Sequence, residues 1–121
     1  MSEYNPSIIN INTIKDAESA IVNIGSDPAS INIMAPKMIL KIIKLENVTL
    51  QDAIIIKQDM LSIGGEVAVP KNTFELNKEK ADILIIGTLK QHFELVKKLN
   101  RHYKRIKNIS KEIEKIIKEI K

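Results

Sequence analysis

Asp82-Ile-Leu-Ile-Ile-Gly-Thr-Leu-Lys-Gln91 is the stretch that decides the fold. Ile83 to Ile86 form a continuous apolar run after Asp82, with the length and composition of a buried strand. Gly87-Thr88 ends the run, and Thr88 with Gln91 has the spacing of a capping box, so a helix opens at once. The preceding residues repeat the theme. Thr49 and Asp52 open a helix that runs to Ile63 and stops at Gly64-Gly65. Glu66 to Val69 then reads as a short strand, Pro70 and Asn72 as a turn, and Phe74 with Leu76 as a minor strand.

Met38 to Glu46 reads two ways. As a helix, Lys37, Lys41 and Lys44 would share one stripe. As a strand it is isoleucine-rich and apolar on both faces, as for a central strand. The β-branched content and the break at Glu46-Asn47 favour the strand. Further upstream, Thr13 and Asp16 cap a helix carrying Ile14, Ala17, Ile21 and Ile24, and Gly25 closes it. Asp27-Pro28 opens another helix, which Pro36 keeps short. Ser7 to Ile11 is a strand or an extended arm.

From Leu89 the pattern is helical to the end. Leu99, Ile106, Ile113 and Ile120 recur every seven residues, and Leu95, Ile109 and Ile116 fill the intermediate heptad positions, with His102 the exception. Three heptads fall short of a secure coiled coil. A break is expected near Asn100 or at Asn108–Ser110. The seam either packs back on its own sheet, associates with itself, or docks on a partner helix.

A chain of 121 residues favours one domain with an unaided core. The expected architecture is α/β (α+β): a small mixed sheet packed with helices over residues 1–99, with 100–121 as a C-terminal helical extension of the same domain. The chain has no cysteine, so no disulfide framework is possible and a cytosolic setting fits. Met1 to Pro6 lacks a basic and apolar leader, and no apolar run reaches the roughly 18 residues of a membrane span. Only Tyr4, Phe74, Phe93 and Tyr103 carry aromatic rings, a poor basis for stacking on bases. The net charge of +4 gathers after Lys97, where Lys97, Lys98, Arg101, Lys104, Arg105 and Lys107 make either a solvated helix face or a nucleic-acid contact.

Few residues suggest chemistry. On the Thr49–Ile63 helix, Lys57 falls amid the apolar face and Ile55 on the polar one, and such exceptions mark function or an interface. Lys57 could receive a phosphate or carboxylate. It could equally snorkel to the helix edge or pair with Glu46 or Asp82. Ile55 calls for cover by another segment or subunit. Gly87 and Thr88 present a hydroxyl and free backbone N–H groups at a strand end, where open α/β sheets bind ligands, although helix capping also explains them. His92 and His102 have no carboxylate or cysteine at metal-ligand spacing. No catalytic residue, metal or cofactor is expected.

The segments Ile31-Asn-Ile-Met-Ala-Pro-Lys37, Ile43-Lys-Leu-Glu-Asn-Val48, Ile56-Lys-Gln-Asp-Met-Leu61, Gly64-Gly65 and Ile86-Gly-Thr88 occur in an order that resembles the N-terminal extension of some bacterial and archaeal dihydropteroate synthases. The resemblance covers roughly Asp16 to Leu99. In that family a pterin-binding TIM barrel follows the extension and carries the catalysis. A barrel needs about 250 residues and is not in this sequence, so no catalytic residue is carried over. The resemblance implies a standalone accessory domain acting beside a separate pterin enzyme.

The leading expectation is a non-catalytic interaction or regulatory module linked to folate or methanopterin biosynthesis. Its contact surface would be Ile55, Leu99, Ile106, Ile109, Ile113, Ile116 and Ile120. The alternatives are a pterin- or phosphate-binding protein or enzyme using Lys57, Gly87 and Thr88, and nucleic-acid binding through the basic C-terminal helix.

Overall fold

The computed structural model describes residues 3–71 and 80–121. The expected turn at Asn72 and the minor strand at Phe74 and Leu76 lie outside the described residues.

Helix starts fall where side chains can accept the free N–H groups of a first turn. Thr13 Oγ1 accepts from the Asp16 N–H at 3.0 Å and opens α1 (Ile14–Ile24). Asp27 Oδ1 accepts from the Ala29 N–H at 3.0 Å and opens α2 (Pro28–Met34), with Pro28 at the first position. Pro36 then tightens the chain into a 3-10 turn over Ala35–Met38. Ala17, Ile21 and Ala35 make a small core here with Ile11, Ile31 and Met34. Residues 5–12 are the extended-arm form of the expected segment, outside any sheet, with Ile8 and Ile9 exposed.

β1 (Leu40–Thr49) leads into α3 (Leu50–Ile63), β2 (Glu66–Ala68), β3 (Lys80–Thr88), α4 (Leu89–Leu99) and α5 (Lys104–Lys118). From Leu40 on, the chain adopts the strand reading of Met38–Glu46, but as an edge strand whose Leu40, Ile42 and Lys44 face is exposed, not as the expected central strand apolar on both faces. Its break is a bulge: the register with β3 shifts between Leu45 and Val48, and Asn47 takes φ +58°. Asparagine tolerates that left-handed conformation better than most residues. The Asn47 N–H is held by Asp82 Oδ1 at 3.1 Å.

The class is α+β. Among the described residues the sheet order is β1-β3-β2 and every pairing is antiparallel, so the expected mixed pairing is replaced by an antiparallel one. The helices cover one face. Ile39, Ile43, Val48, Val67, Ile83 and Ile85 point into the core with Ile56, Met60, Leu95 and Leu99. The Ile83–Ile86 run is therefore not buried on both sides: Ile83 and Ile85 are inside, Ile86 is half-buried and Leu84 is 40% exposed.

The expected long C-terminal helix is two helices. The chain breaks at Asn100, the first of the two expected places, and α5 returns to pack on α4. A continuous helix from Leu89 to Lys118 would be about 45 Å long and could not bring Leu95 and Ile113 into one small core. Ile106, Ser110, Ile113 and Ile117 form the buried stripe of α5 at helical spacing. Ser110 starts no new helix. Its Oγ donates to the Val96 carbonyl at 3.0 Å and pins α5 to α4.

Candidate functional site

Lys57, Gly87 and Thr88 each have a structural partner. Lys57 reaches the rim of the sheet, where Nζ donates to the Val67 carbonyl at 2.8 Å and lies 3.2 Å from Glu66 Oε1. The partner carboxylate is thus Glu66, not Glu46 or Asp82. Glu66 is held below the ordinary carboxylate range, first by the Val67 N–H and then by Lys57. Thr88 and Gln91 make both hydrogen bonds of the capping box, at 3.1 and 2.9 Å. Gly87 lies against the buried tip of Met60: a Cβ there would stand 2.4 Å from Met60 Cε and 3.0 Å from Gln91 Oε1. The space a ligand would need at this turn is filled by a core methionine.

The seven expected interface residues divide. Leu99, Ile106 and Ile113 are fully buried in the chain's own core, so they do not form an exposed seam. The cause is the break at Asn100, which folds α5 back. Ile55, Ile109 and Ile120 are half-buried against the same core, and Ile116 is 47% exposed. Two cations of the basic stretch are also engaged: Lys98 donates to Ser62 Oγ, and Arg105 is held by Asp52.

Asp52 anchors a cluster that local sequence reading does not find. It is 1% exposed, at the third position of α3, where its N–H bonds to Thr49 Oγ1 at 3.2 Å. Arg105 grips the carboxylate in a fork, Nε to Oδ2 at 2.6 Å and Nη2 to Oδ1 at 2.9 Å, and the Tyr103 hydroxyl donates to Oδ1. The guanidinium also stacks 5.1 Å from the Tyr103 ring centre. Burial pushes the Asp52 carboxyl up, but the Arg105 and Tyr103 hydrogen bonds outweigh it and hold it low. Burial and the Asp52 carboxylate raise Tyr103. With both oxygens engaged, Asp52 is a clamp between the start of α3 and the α4–α5 turn, not a free base. His102 adds a second tie, Nε2 to Asp59 Oδ2 at 2.8 Å.

His92 is fully buried, with Nε2 at 2.8 Å from the Lys41 carbonyl and Nδ1 without a hydrogen-bond partner among the described residues. Burial lowers its pKa against the pull of the Lys41 and Gly87 carbonyls, so the ring is neutral at neutral pH. No described group of three or more His, Cys, Asp or Glu side chains could hold a metal. No helix among the described residues is long and apolar enough to cross a membrane.

Among the described residues, no element covers the outer face of the sheet. Leu40 is 63% and Ile42 59% exposed on β1, beside Leu84 and Ile86 on β3 and Ala68 on β2. The register sets Ile42 across from Ile86, and Lys44 and Ala68 on either side of Leu84. These side chains therefore form one patch, rimmed by Lys44, Glu46 and Glu66. A separate apolar cleft of about 610 Å³ lies between the arm, α1 and Met38, lined among others by Ile9, Ile11, Ile24 and Met34. No family model, curated protein or solved structure matches this chain.

Proposed function

We propose that this chain is a non-catalytic protein-interaction module that docks through the outer face of its sheet, acting beside a pterin enzyme of the dihydropteroate synthase kind. The observation that carries the reading is the contiguous patch of Leu40, Ile42 and Leu84, with the charged rim around it. An apolar centre inside a polar rim is the anatomy of a protein interface. Exposed apolar side chains scattered singly carry no such meaning, but these are neighbours across one hydrogen-bonded ladder. The order of motifs that resembles the synthase extension supplies the class of partner. The clamp at Asp52, the filled turn at Gly87 and the bonded Lys57 agree with a rigid scaffold whose polar groups serve its own fold.

Titration calorimetry of the chain against a dihydropteroate synthase barrel from the same organism tests this. Saturable binding is expected, weakened at least about tenfold by Leu84→Asp, because the carboxylate would be desolvated at the centre of the contact. Absent binding, or equal binding by Leu84→Asp, would refute it. Reduced pterins are expected to leave the melting temperature of the isolated chain unchanged.

A further inference from the structure

α5 carries a row of lysines on the side it turns to solvent. Lys104, Lys107, Lys111, Lys115 and Lys118 follow one another at three or four residues, and all five are exposed. At about 100° per residue they fall within an arc of about 80°. That arc lies about 130° round the helix from the buried stripe of Ile106, Ser110, Ile113 and Ile117. The row is about 21 Å long.

Its charge is nearly unopposed. Lys118 pairs with Glu114 at 3.4 Å. Among the described residues, Lys104, Lys107, Lys111 and Lys115 have no ion pair and no side-chain hydrogen bond. Glu112 and Glu119 fall outside the arc, and Glu112 lines a cleft with Leu45 to Thr49 on the β1 side. A solvated helix face sets lysine and glutamate four residues apart, as Lys90 and Glu94 stand on α4. On α5, Lys107, Lys111 and Lys115 are each other's neighbours at that spacing, and like charges there weaken a helix. The row also begins at the positive pole of the helix dipole, where the first turn has no acidic residue and no side-chain cap. An anionic partner would offset both effects.

We infer that this row binds the phosphate backbone of duplex nucleic acid. Charge complementarity calls for a polyanion, with anions repeated along the length of the row. The surroundings decide which polyanion. A protein or a membrane calls for an apolar or aromatic anchor within the contact, and the arc holds none. Single-stranded bases call for exposed rings to stack on. Tyr103 is held by Asp52 and Arg105, and Phe93 packs against the core. The contact is therefore with phosphates, and it carries no sequence preference.

Fluorescence anisotropy of the full chain with labelled DNA and RNA duplexes of one sequence tests this. Each phosphate contact adds about −0.9 to the slope of log affinity against log salt, so the four free lysines predict a slope of about −3.6. Lys107→Gln combined with Lys111→Gln should make the slope shallower by about 2 and weaken binding at least about tenfold at about 0.1 M salt. Lys15→Gln combined with Lys37→Gln removes the same charge from exposed lysines elsewhere and should move the slope by less than about 0.5. Lysine and glutamine have similar helix propensities, so both double variants keep the fold. Binding of either duplex with these slopes is the expected result, and the tighter duplex names the form it takes. Absent binding at low salt, equal losses in the two double variants, or binding to anionic lipid vesicles but not to duplexes would overturn the inference. It goes beyond the docking reading and uses no residue of the sheet face. Binding of the synthase barrel by the α5 double variant should therefore stay unchanged, which separates failure of one proposal from failure of the other.

Discussion

Gly87→Ala probes whether the turn after β3 is a packing contact or an open cradle. The added methyl would stand 2.4 Å from Met60 Cε, well inside contact distance, and 3.0 Å from Gln91 Oε1. Met60 is fully buried, so its tip moves only by disturbing the core. Overpacking of this kind costs about 1–3 kcal/mol. Two factors pull the figure to the lower half. Methionine is flexible, and alanine in a strand regains roughly 0.5–1 kcal/mol of the entropy that glycine loses on folding.

The expected net loss is about 1–2 kcal/mol, or about 4–8 °C in melting temperature for a chain of this length. Met60→Ala alone should cost about 2–5 kcal/mol by opening a cavity. The double variant should be more stable than the sum of the two losses, by at least about 0.5 kcal/mol, because the new methyl enters the space Met60 vacates. The assay is urea unfolding followed by circular dichroism, with the slope checked for constancy. An unchanged Gly87→Ala protein, or strict additivity, would refute the contact and reopen the turn as a ligand site.

Three further outcomes follow from the geometry. Burial holds the native His92 pKa below its ordinary 6.5, so at higher pH both states carry a neutral ring. As pH falls from 6.5 towards the native value, the unfolded chain binds a proton that the native chain does not, and stability drops. His92→Gln should flatten that part of a denaturation series between pH 7 and 5. Asp52 is the carboxylate counterpart: its stabilisation is full above the ordinary value of 3.8 and lost as pH falls through the lower native one. Asp52→Asn should cost about 1–3 kcal/mol at pH 7 by urea unfolding, with less difference from the wild type at pH 2. In α5, Ile113→Ala should cost about 2–5 kcal/mol, whereas Ile116→Ala should change monomer stability by less than about 1 kcal/mol.

Much of the fold was legible because its signals are local. Thr13, Asp27, Thr49 and Thr88 each accept a hydrogen bond from a residue two or three positions on, and a spacing that short is visible in sequence. Gly64, at φ +103°, stops α3 where a residue with a Cβ would be strained. β1 is less clear, since period and composition disagree there, and its β-branched content decides the strand. The failures are long-range. The seven-residue recurrence through Leu99, Ile106 and Ile113 is the same whether the helix runs on or folds back, and no side chain caps α5. The Asp52–Arg105 fork joins residues 53 apart, and Asp52 in isolation is only a first-turn carboxylate. Lys57 stands out in the sequence as an exception to the apolar face, but its partners Glu66 and Val67 depend on where β2 docks. Whether the helical seam is exposed depends on that same turn, which the sequence does not reveal. The alternation of Ile83 and Ile85 with Leu84 and Ile86 reveals an open sheet face only once the helices are known to lie on one side.

Carbene footprinting of the chain alone and with the synthase barrel tests the central claim most directly. The account predicts that labelling at Leu40, Ile42 and Leu84 falls in the complex, while the exposed Val22 and Ile24 on α1 are unchanged. Unaltered labelling on the sheet face, or protection confined to α1 and the arm, would contradict it.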